Sequence, residues 1–229
     1  MKINGLQKLT LLDFPGRTAC TVFTSGCNLR CPFCHNASLA TGENGDSVSE
    51  DELFDYISKR KGILDGVAIT GGEPLMHKDL VPFMQKIRAL GFAVKLDTNG
   101  FFPTLLKDAL ASGCVSYVAM DIKNTPEKYG VTTGISGISI NNVLQSVDVI
   151  LSSGIEHEFR TTAVAEFHTP DDFYGMAEMI RGAQAYYIQK FKDSGNLICE
   201  GLHALSDEDM RKCAENARKI IPNTSLRGV

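Results

Sequence analysis

Three cysteines, Cys27, Cys31 and Cys34, fall within eight positions of the stretch TSGCNLRCPFCHN, residues 24 to 36, and no fourth cysteine completes the set. Closely spaced thiolates are metal ligands by type. A structural zinc ion takes four protein ligands, usually as two CxxC-like pairs divided by a spacer. Here there is a single triplet, with His35 adjacent to a ligand and not at zinc-knuckle spacing. An iron–sulfur cluster held by three thiolates leaves one iron open to an exogenous ligand, and the triplet fits that chemistry better than it fits zinc. The remaining cysteines, Cys20, Cys114, Cys199 and Cys213, are scattered through apolar or helical contexts. Free cysteines in such contexts behave as small hydrophobes, so no function is assigned to them.

Four other short stretches carry chemistry. In TGGEP (70 to 74), Gly71 and Gly72 have no side chains and let the backbone approach a ligand closely; a plain strand-to-helix turn is the alternative, and Glu73 and Pro74 tip the balance. Asp97 and Asp121 close two apolar strands, where a carboxylate without a partner is costly, although capping the following helices would also account for them. Lys123 and Arg160 sit on neighbouring strands at the same end and suit a carboxylate ligand; a solvated rim is the alternative. Asp13, Pro15, Gly16 and Arg17 precede the first strand and read as turn formers. His77, His157, His168 and His203 show no metal-ligand spacing and are expected as capping or surface residues, and neither GxSxG nor GxxxxGK[ST] occurs.

These residues must be positioned by a scaffold, and its period is legible. Short β-branched or apolar runs at 19 to 25, 66 to 70, 92 to 98, 115 to 122, 155 to 164 and 185 to 191 alternate with helical stretches. The helical stretches are 49 to 60, 77 to 90, 102 to 113, 139 to 154, 170 to 182 and a last one at 206 to 220. Ser49 with Glu52 three residues on predicts a capping box, and Gly91, Gly113 and Gly154 sit where helices should stop. Six βα units imply a parallel sheet with right-handed crossovers. An open doubly wound sheet and a partly closed barrel both place the ligand site at the C-terminal ends of the strands. The cysteine cluster, TGGEP, DTNG (97 to 100) and MDIK (120 to 123) each follow one of the first four strands and should share one mouth.

At 229 residues the chain suits a single domain, 1 to 229, with a short loop at 1 to 18 ahead of the first strand. Its 23 basic and 27 acidic residues give a formal net charge of −4, and without a basic run nucleic acid is not an expected partner. The first residues lack an apolar run of signal-peptide length, and no segment approaches the roughly 18 apolar residues of a membrane span, so a cytoplasmic location is expected.

The spacing CxxxCxxC, the aromatic Phe33 before the third cysteine and the downstream GGEP together resemble the radical S-adenosylmethionine (SAM) superfamily. LDFPGR (12 to 17), CHN (34 to 36), LDTNG (96 to 100), MDIK and FRTT (159 to 162) are similar to the activases of glycyl radical enzymes. The opening residues and YYIQKF look most like the longer type of activating protein of anaerobic ribonucleoside-triphosphate reductases. This resemblance implies a partial (β/α)6 barrel of the α/β class and a [4Fe-4S] cluster on Cys27, Cys31 and Cys34 with SAM on the open iron. It implies SAM contacts from Phe33, His35, Gly71, Gly72, Glu73, Lys123 and Arg160. A monovalent cation is implied at Asp97, Thr98, the Ala119 carbonyl and Asp121, and a loop at Asp13, Pro15, Gly16 and Arg17 that meets the partner. The implied partners are a glycyl radical enzyme, with anaerobic ribonucleotide reductase first, and an electron donor such as flavodoxin or ferredoxin. A radical SAM enzyme of small-molecule metabolism is the alternative, and a non-catalytic zinc module the third reading.

Overall fold

The computed structural model describes residues 1–42 and 47–229. Strand β1 (Gly5–Thr10) pairs antiparallel with β2 (Ala19–Thr24), and every later pairing is parallel. The remaining strands are β3 (Gly66–Gly71), β4 (Ala93–Thr98), β5 (Tyr117–Asp121), β6 (Glu156–Ala163), β7 (Tyr186–Lys190) and β8 (Thr224–Arg227). They lie side by side in chain order, with β1 and β8 as the two edges. A doubly wound sheet reverses its strand order somewhere; this one never does, so the crossover helices wind in one sense as in a barrel. The fold is therefore a single α/β domain with a partial barrel, as the sequence led us to expect. Two strands exceed that expectation: β1 occupies part of the segment read as a loop, and β8 follows the helix read as the last element.

The helices form because each has one apolar stripe to bury. Helix α1 (Ala37–Thr41) is short and follows the cysteine loop; α2 (Glu50–Ser58) buries Leu53 and Ile57. Its Ser49 hydroxyl accepts from the Glu52 N–H while Glu52 accepts from the Ser49 N–H, the capping box predicted from sequence. Helix α3 (Leu80–Ala89) buries Phe83, Met84 and Ile87, and α4 (Pro103–Ala111) buries Leu106, Ala109 and Leu110. After the short α5 (Tyr129–Thr133), helices α6 (Asn141–Ser152), α7 (Asp172–Met179) and α8 (Asp207–Arg218) complete the outer layer. One large apolar core lies between helices and sheet. Among the described residues no helix is long and apolar enough to cross a membrane.

A second, small cluster holds the loop after β1. Phe14 is buried against Ala19 and Ala93, with Tyr117 beside it, all first residues of their strands. A Cβ on Gly66, the first residue of β3, would come within 2.8 Å of the Phe14 ring. The LDFPG loop is thus pinned beneath the N-terminal ends of the strands, opposite the loops that carry the cysteines.

Candidate active site

A cavity of about 370 Å³ is lined by Cys27, Cys31, Cys34, Gly71, Gly72, Asp97, Asp121, Lys123 and Arg160, and it reaches back to Asp13 and Thr21. Four consecutive βα loops and β6 therefore meet as their positions predicted. The cysteine loop is held by one tertiary and one local backbone bond: the Arg30 N–H donates to Thr133 O at 2.9 Å, and the Cys34 N–H to Cys31 O at 3.0 Å. The Cys27 Sγ accepts from the Leu29 N–H at 3.4 Å and from Asn99 Nδ2 at 3.7 Å. Such N–H···S bonds tune a thiolate-bound metal centre. Burial pushes the Cys31 thiol up to about 12, partly offset by the Lys123 ammonium, and burial raises Cys27 as well. Thiols this hard to ionise are held as thiolates by a bound metal.

The donor set decides which metal group fits. Among the described residues no three His, Cys, Asp or Glu side chains converge closely enough for one ion, whereas three thiols face one cavity. None of the other cysteines lines that cavity; Cys20, Cys114 and Cys213 are buried elsewhere and Cys199 is exposed. Three thiolates around a space larger than one ion fit a cluster with one open iron.

The glycines act partly on the protein itself. A Cβ on Gly72 would lie 2.0 Å from the Gly26 carbonyl oxygen, and one on Gly71, at φ +110°, would lie 2.4 Å from that of Thr24. Lacking Cβ atoms, the pair packs against the entry to the cysteine loop, where the Gly72 N–H donates to Thr24 O and the Glu73 N–H to Gly26 O, both at 2.8 Å. Asn36 Nδ2 donates to Gly71 O at 3.2 Å and ties the CHN segment to the same strand end.

Glu73 does not line the cavity. It is 1% exposed, and its carboxylate accepts from Leu75 N–H at 3.1 Å, the Thr98 hydroxyl at 2.9 Å and Asn99 N–H at 2.7 Å. Burial pushes its carboxyl up to about 7 against the pull of those donors. It positions the DTNG loop, and with it Asn99, against Cys27.

Beneath the mouth lies a charged network. Arg160 donates from Nε to Asp121 Oδ1 and from Nη1 to Asp97 Oδ2, each at 3.0 Å, and Lys123 Nζ donates to Asp121 Oδ2 at 2.9 Å. Lys95 Nζ donates to Asp97 Oδ1. Burial pushes both carboxyls up, but Arg160 with Lys95 and with Lys123 overcomes it and holds them below the ordinary range. Burial opposes the charge on Lys123 and Arg160 too, and the carboxylates more than restore it.

The aromatic and loop residues divide. Phe33 lines the cavity while its ring packs on Phe167 at 5.8 Å between centroids, so it serves wall and core together. The His35 ring stacks on Phe191, its Nε2 meets Lys192 O at 2.9 Å, and the residue lines the cavity. Asp13 lines the cavity and accepts from the Thr21 hydroxyl at 2.5 Å. Pro15, Gly16 and Arg17 do not line it: the Arg17 N–H closes a turn on Phe14 O, and the guanidinium stands over the Phe14 ring. Two of the histidines expected as capping or surface residues are buried: His157 bonds Ile155 O, and His168 bridges Val164 and Lys123 O, where burial holds its pKa down. Sequence reasoning missed Lys95, Asn99, Asn36 and Phe14. The first was detectable, since Lys95 and Asp97 are two apart on one strand and must share a face.

A protein of Methanocaldococcus jannaschii named as a glycyl-radical enzyme activating enzyme is 29% identical over 233 residues, 99% of this chain and 96% of that one. A 7-carboxy-7-deazaguanine synthase of Hyperthermus butylicus is 38% identical over 96 residues, 42% of this chain and 40% of that one. A radical SAM methyltransferase of Sphaerobacter thermophilus superposes with a TM-score of 0.72 at 15% identity, covering 96% of this chain and 68% of that one, which shows a shared fold. The radical SAM superfamily model matches residues 21–180, and the chain belongs to that superfamily, whose enzymes use a [4Fe-4S] cluster and SAM.

Proposed function

We propose that this enzyme is an activase that places a radical on a glycine of a partner protein, with an anaerobic ribonucleotide reductase as that partner. The observation that carries the reading is the match to a protein named as a glycyl-radical enzyme activating enzyme across nearly the whole of both chains. The cavity supports it. It runs from the cysteines at the mouth to Asp13 in the loop under the barrel. Leu11 and Leu12, 69% and 86% exposed beside that loop, are apolar side chains suited to a protein partner.

A [4Fe-4S] cluster with SAM at its open iron supplies a one-electron cleavage of the sulfonium and, with it, a primary carbon radical able to take hydrogen from glycine. The chain's part is to hold and to exclude. Cys27, Cys31 and Cys34 are the thiolate ligands, and Asn99 and the Leu29 N–H steady the first of them. Lys123 and Arg160 line the cavity and would offer donors to the SAM carboxylate, and the Gly71 and Gly72 backbone would receive its amino group. Phe33 and Leu29 are buried apolar wall that keeps water from the reacting carbon. Asp13 is the acceptor available to the backbone of a glycine-bearing segment lying along the cavity.

The second reading, a small-molecule enzyme, is favoured by the partial match to a 7-carboxy-7-deazaguanine synthase, which spans 42% of this chain. Electron paramagnetic resonance separates the two. Reconstituted anaerobically, reduced with a flavodoxin or ferredoxin system and mixed with SAM and the anaerobic ribonucleotide reductase, the protein should produce a glycyl doublet on the reductase. A reduced-cluster signal that SAM perturbs, without a doublet, would remove that partner. Deoxyadenosine release driven by a candidate small-molecule metabolite in the absence of any protein partner would establish the second reading.

A further inference from the structure

Strand β4 carries a lysine where its burial calls for an apolar residue. Lys95 is 1% exposed, does not line the cavity, and donates its Nζ to Asp97 on the same strand face. An ammonium in such a place is unfavourable unless paired. Its contribution is best seen in the charge of the whole group. Asp97 and Asp121 bring two negative charges; Lys95, Lys123 and Arg160 bring three positive ones. Without Lys95 the group would be neutral. With it, one net positive charge stands at the wall of the cavity, where Lys123 and Arg160 are accessible.

The monovalent cation expected from the resemblance does not fit these residues. Each of the four oxygens of Asp97 and Asp121 already accepts from a cationic side chain: Asp97 from Lys95 and Arg160, Asp121 from Arg160 and Lys123. The Thr98 hydroxyl is committed to Glu73 and accepts from the Gly100 N–H. Ala119 lies within the parallel pairing of β5 between Asp97 and Glu158. A further cation would enter a group that is already positive.

We propose that Lys95 supplies from within the chain the charge for which an ion would otherwise be needed, and so acts as a positioning residue that sets the affinity of the site for the carboxylate of SAM. Lys95 holds Asp97 on one side, which leaves Arg160 spanning both carboxylates and Lys123 turned to the mouth. The inference rests on the reading that SAM places its carboxylate against Lys123 and Arg160.

The test is isothermal titration of SAM into the full-length protein, anaerobically reconstituted, in potassium, sodium or tetramethylammonium chloride at one ionic strength. The wild-type dissociation constant should be the same in all three salts. Lys95→Met should bind SAM about tenfold or more weakly in tetramethylammonium and recover most of that loss in potassium or sodium, because the vacated position then admits an ion. A merely structural lysine would give a loss that no alkali ion restores, and that result would overturn the proposal. So would an alkali-dependent affinity in the wild type, which needs no variant and stands even where Lys95→Met fails to fold. Unchanged SAM affinity of Lys95→Met in tetramethylammonium would overturn it as well. A wild-type protein that binds no SAM in any salt would remove the SAM site together with the inference, an outcome distinct from the other three.

Discussion

Strand β6 presents two charged residues to the barrel interior, two positions apart, and they enter ion clusters of opposite kinds. Glu158 is matched one to one. It accepts both Nη groups of Arg227 from β8, at 3.2 and 2.9 Å, and the Tyr117 hydroxyl at 3.2 Å, while the Arg227 guanidinium lies 3.5 Å from the Tyr187 ring centroid. Every charge there has its counter-charge, and the cluster ties the last strand to the middle of the sheet. Arg160 is shared instead between Asp97 and Asp121, each of which already has a lysine. The difference lies in the sum: one cluster closes on itself, and the other, over its own five side chains, keeps one positive charge at the cavity wall, beside Cys31 and within the field of Glu158. Buried ion pairs as such are weak evidence for a binding site. A buried imbalance at a cavity wall is stronger, because folding gains nothing from it.

That contrast can be broken first at Arg160. Arg160→Met leaves Asp97 and Asp121 with one lysine each and removes the donor they share. Truncating one member of a buried, hydrogen-bonded charge group weakens binding by about 3 kcal/mol, so the SAM dissociation constant should rise about 100-fold. Equilibrium dialysis with labelled SAM measures it. A change of only about twofold would mean that the carboxylate is bound elsewhere in the cavity.

Arg227→Met should do the reverse. It leaves the Glu158 carboxylate buried with a single neutral donor, which costs about 2 kcal/mol of stability after allowance for the partial exposure of Arg227. SAM affinity should stay within about twofold of wild type, since the balanced cluster touches no ligand. Anaerobic urea unfolding and dialysis give the two numbers. Should SAM binding fall with stability, the clusters are coupled through β6 and the contrast drawn above is lost.

Much of this was legible beforehand, and the exceptions have physical causes. The six central strands announce themselves by apolar β-branched runs, because both faces are covered. β1, as GLQKLT, is an edge strand with exposed positions at Gln7, Lys8 and Leu9, and its alternation is too weak to separate from a loop. β8 has four residues, too few to show a period. Phe14 was hidden among the turn formers around it, although it alone anchors that loop in a buried cluster. The cysteines, Asp97, Asp121, Lys123 and Arg160, which the structure brings to one cavity, were singled out because charge or sulfur in an apolar setting draws notice by type. Lys95 escaped because one lysine in a strand reads as a side chain turned to water, and only pairing it with Asp97 two residues on shows that it must point inward. Glu73 was singled out as a ligand contact, and the structure places it behind the cavity wall, bonded to Leu75, Thr98 and Asn99: a motif letter cannot tell a ligand contact from the group that positions the contact.

Glu73 also supplies the intermediate case between the two clusters, a buried carboxylate whose donors, Leu75 N–H, the Thr98 hydroxyl and Asn99 N–H, are all uncharged. Burial lifts its carboxyl from 4.5 to about 7. The sign follows directly. Between those values the unfolded chain has already released the proton that the folded protein still holds, so stability falls as pH rises through that window and is best retained below it. The slope from one such group is at most about 1.4 kcal/mol per pH unit, so wild type should be about 1 kcal/mol more stable at pH 5.5 than at pH 6.5 on this account alone. Glu73→Gln cannot titrate; it keeps an oxygen for Leu75 and Thr98, turns an N–H toward Asn99, and should lose that slope, so that its deficit against wild type is about 1 kcal/mol larger at pH 5.5 than at pH 6.5. Urea midpoints of the two proteins at pH 5.5 and 6.5 isolate the term, since every other titration is common to both. Parallel pH profiles would mean that three neutral donors suffice to keep Glu73 ionised throughout. Burial would then be a smaller cost in this barrel than the comparison of the two clusters takes it to be, and the excess charge at Lys95 would carry correspondingly less weight as a sign of the ligand.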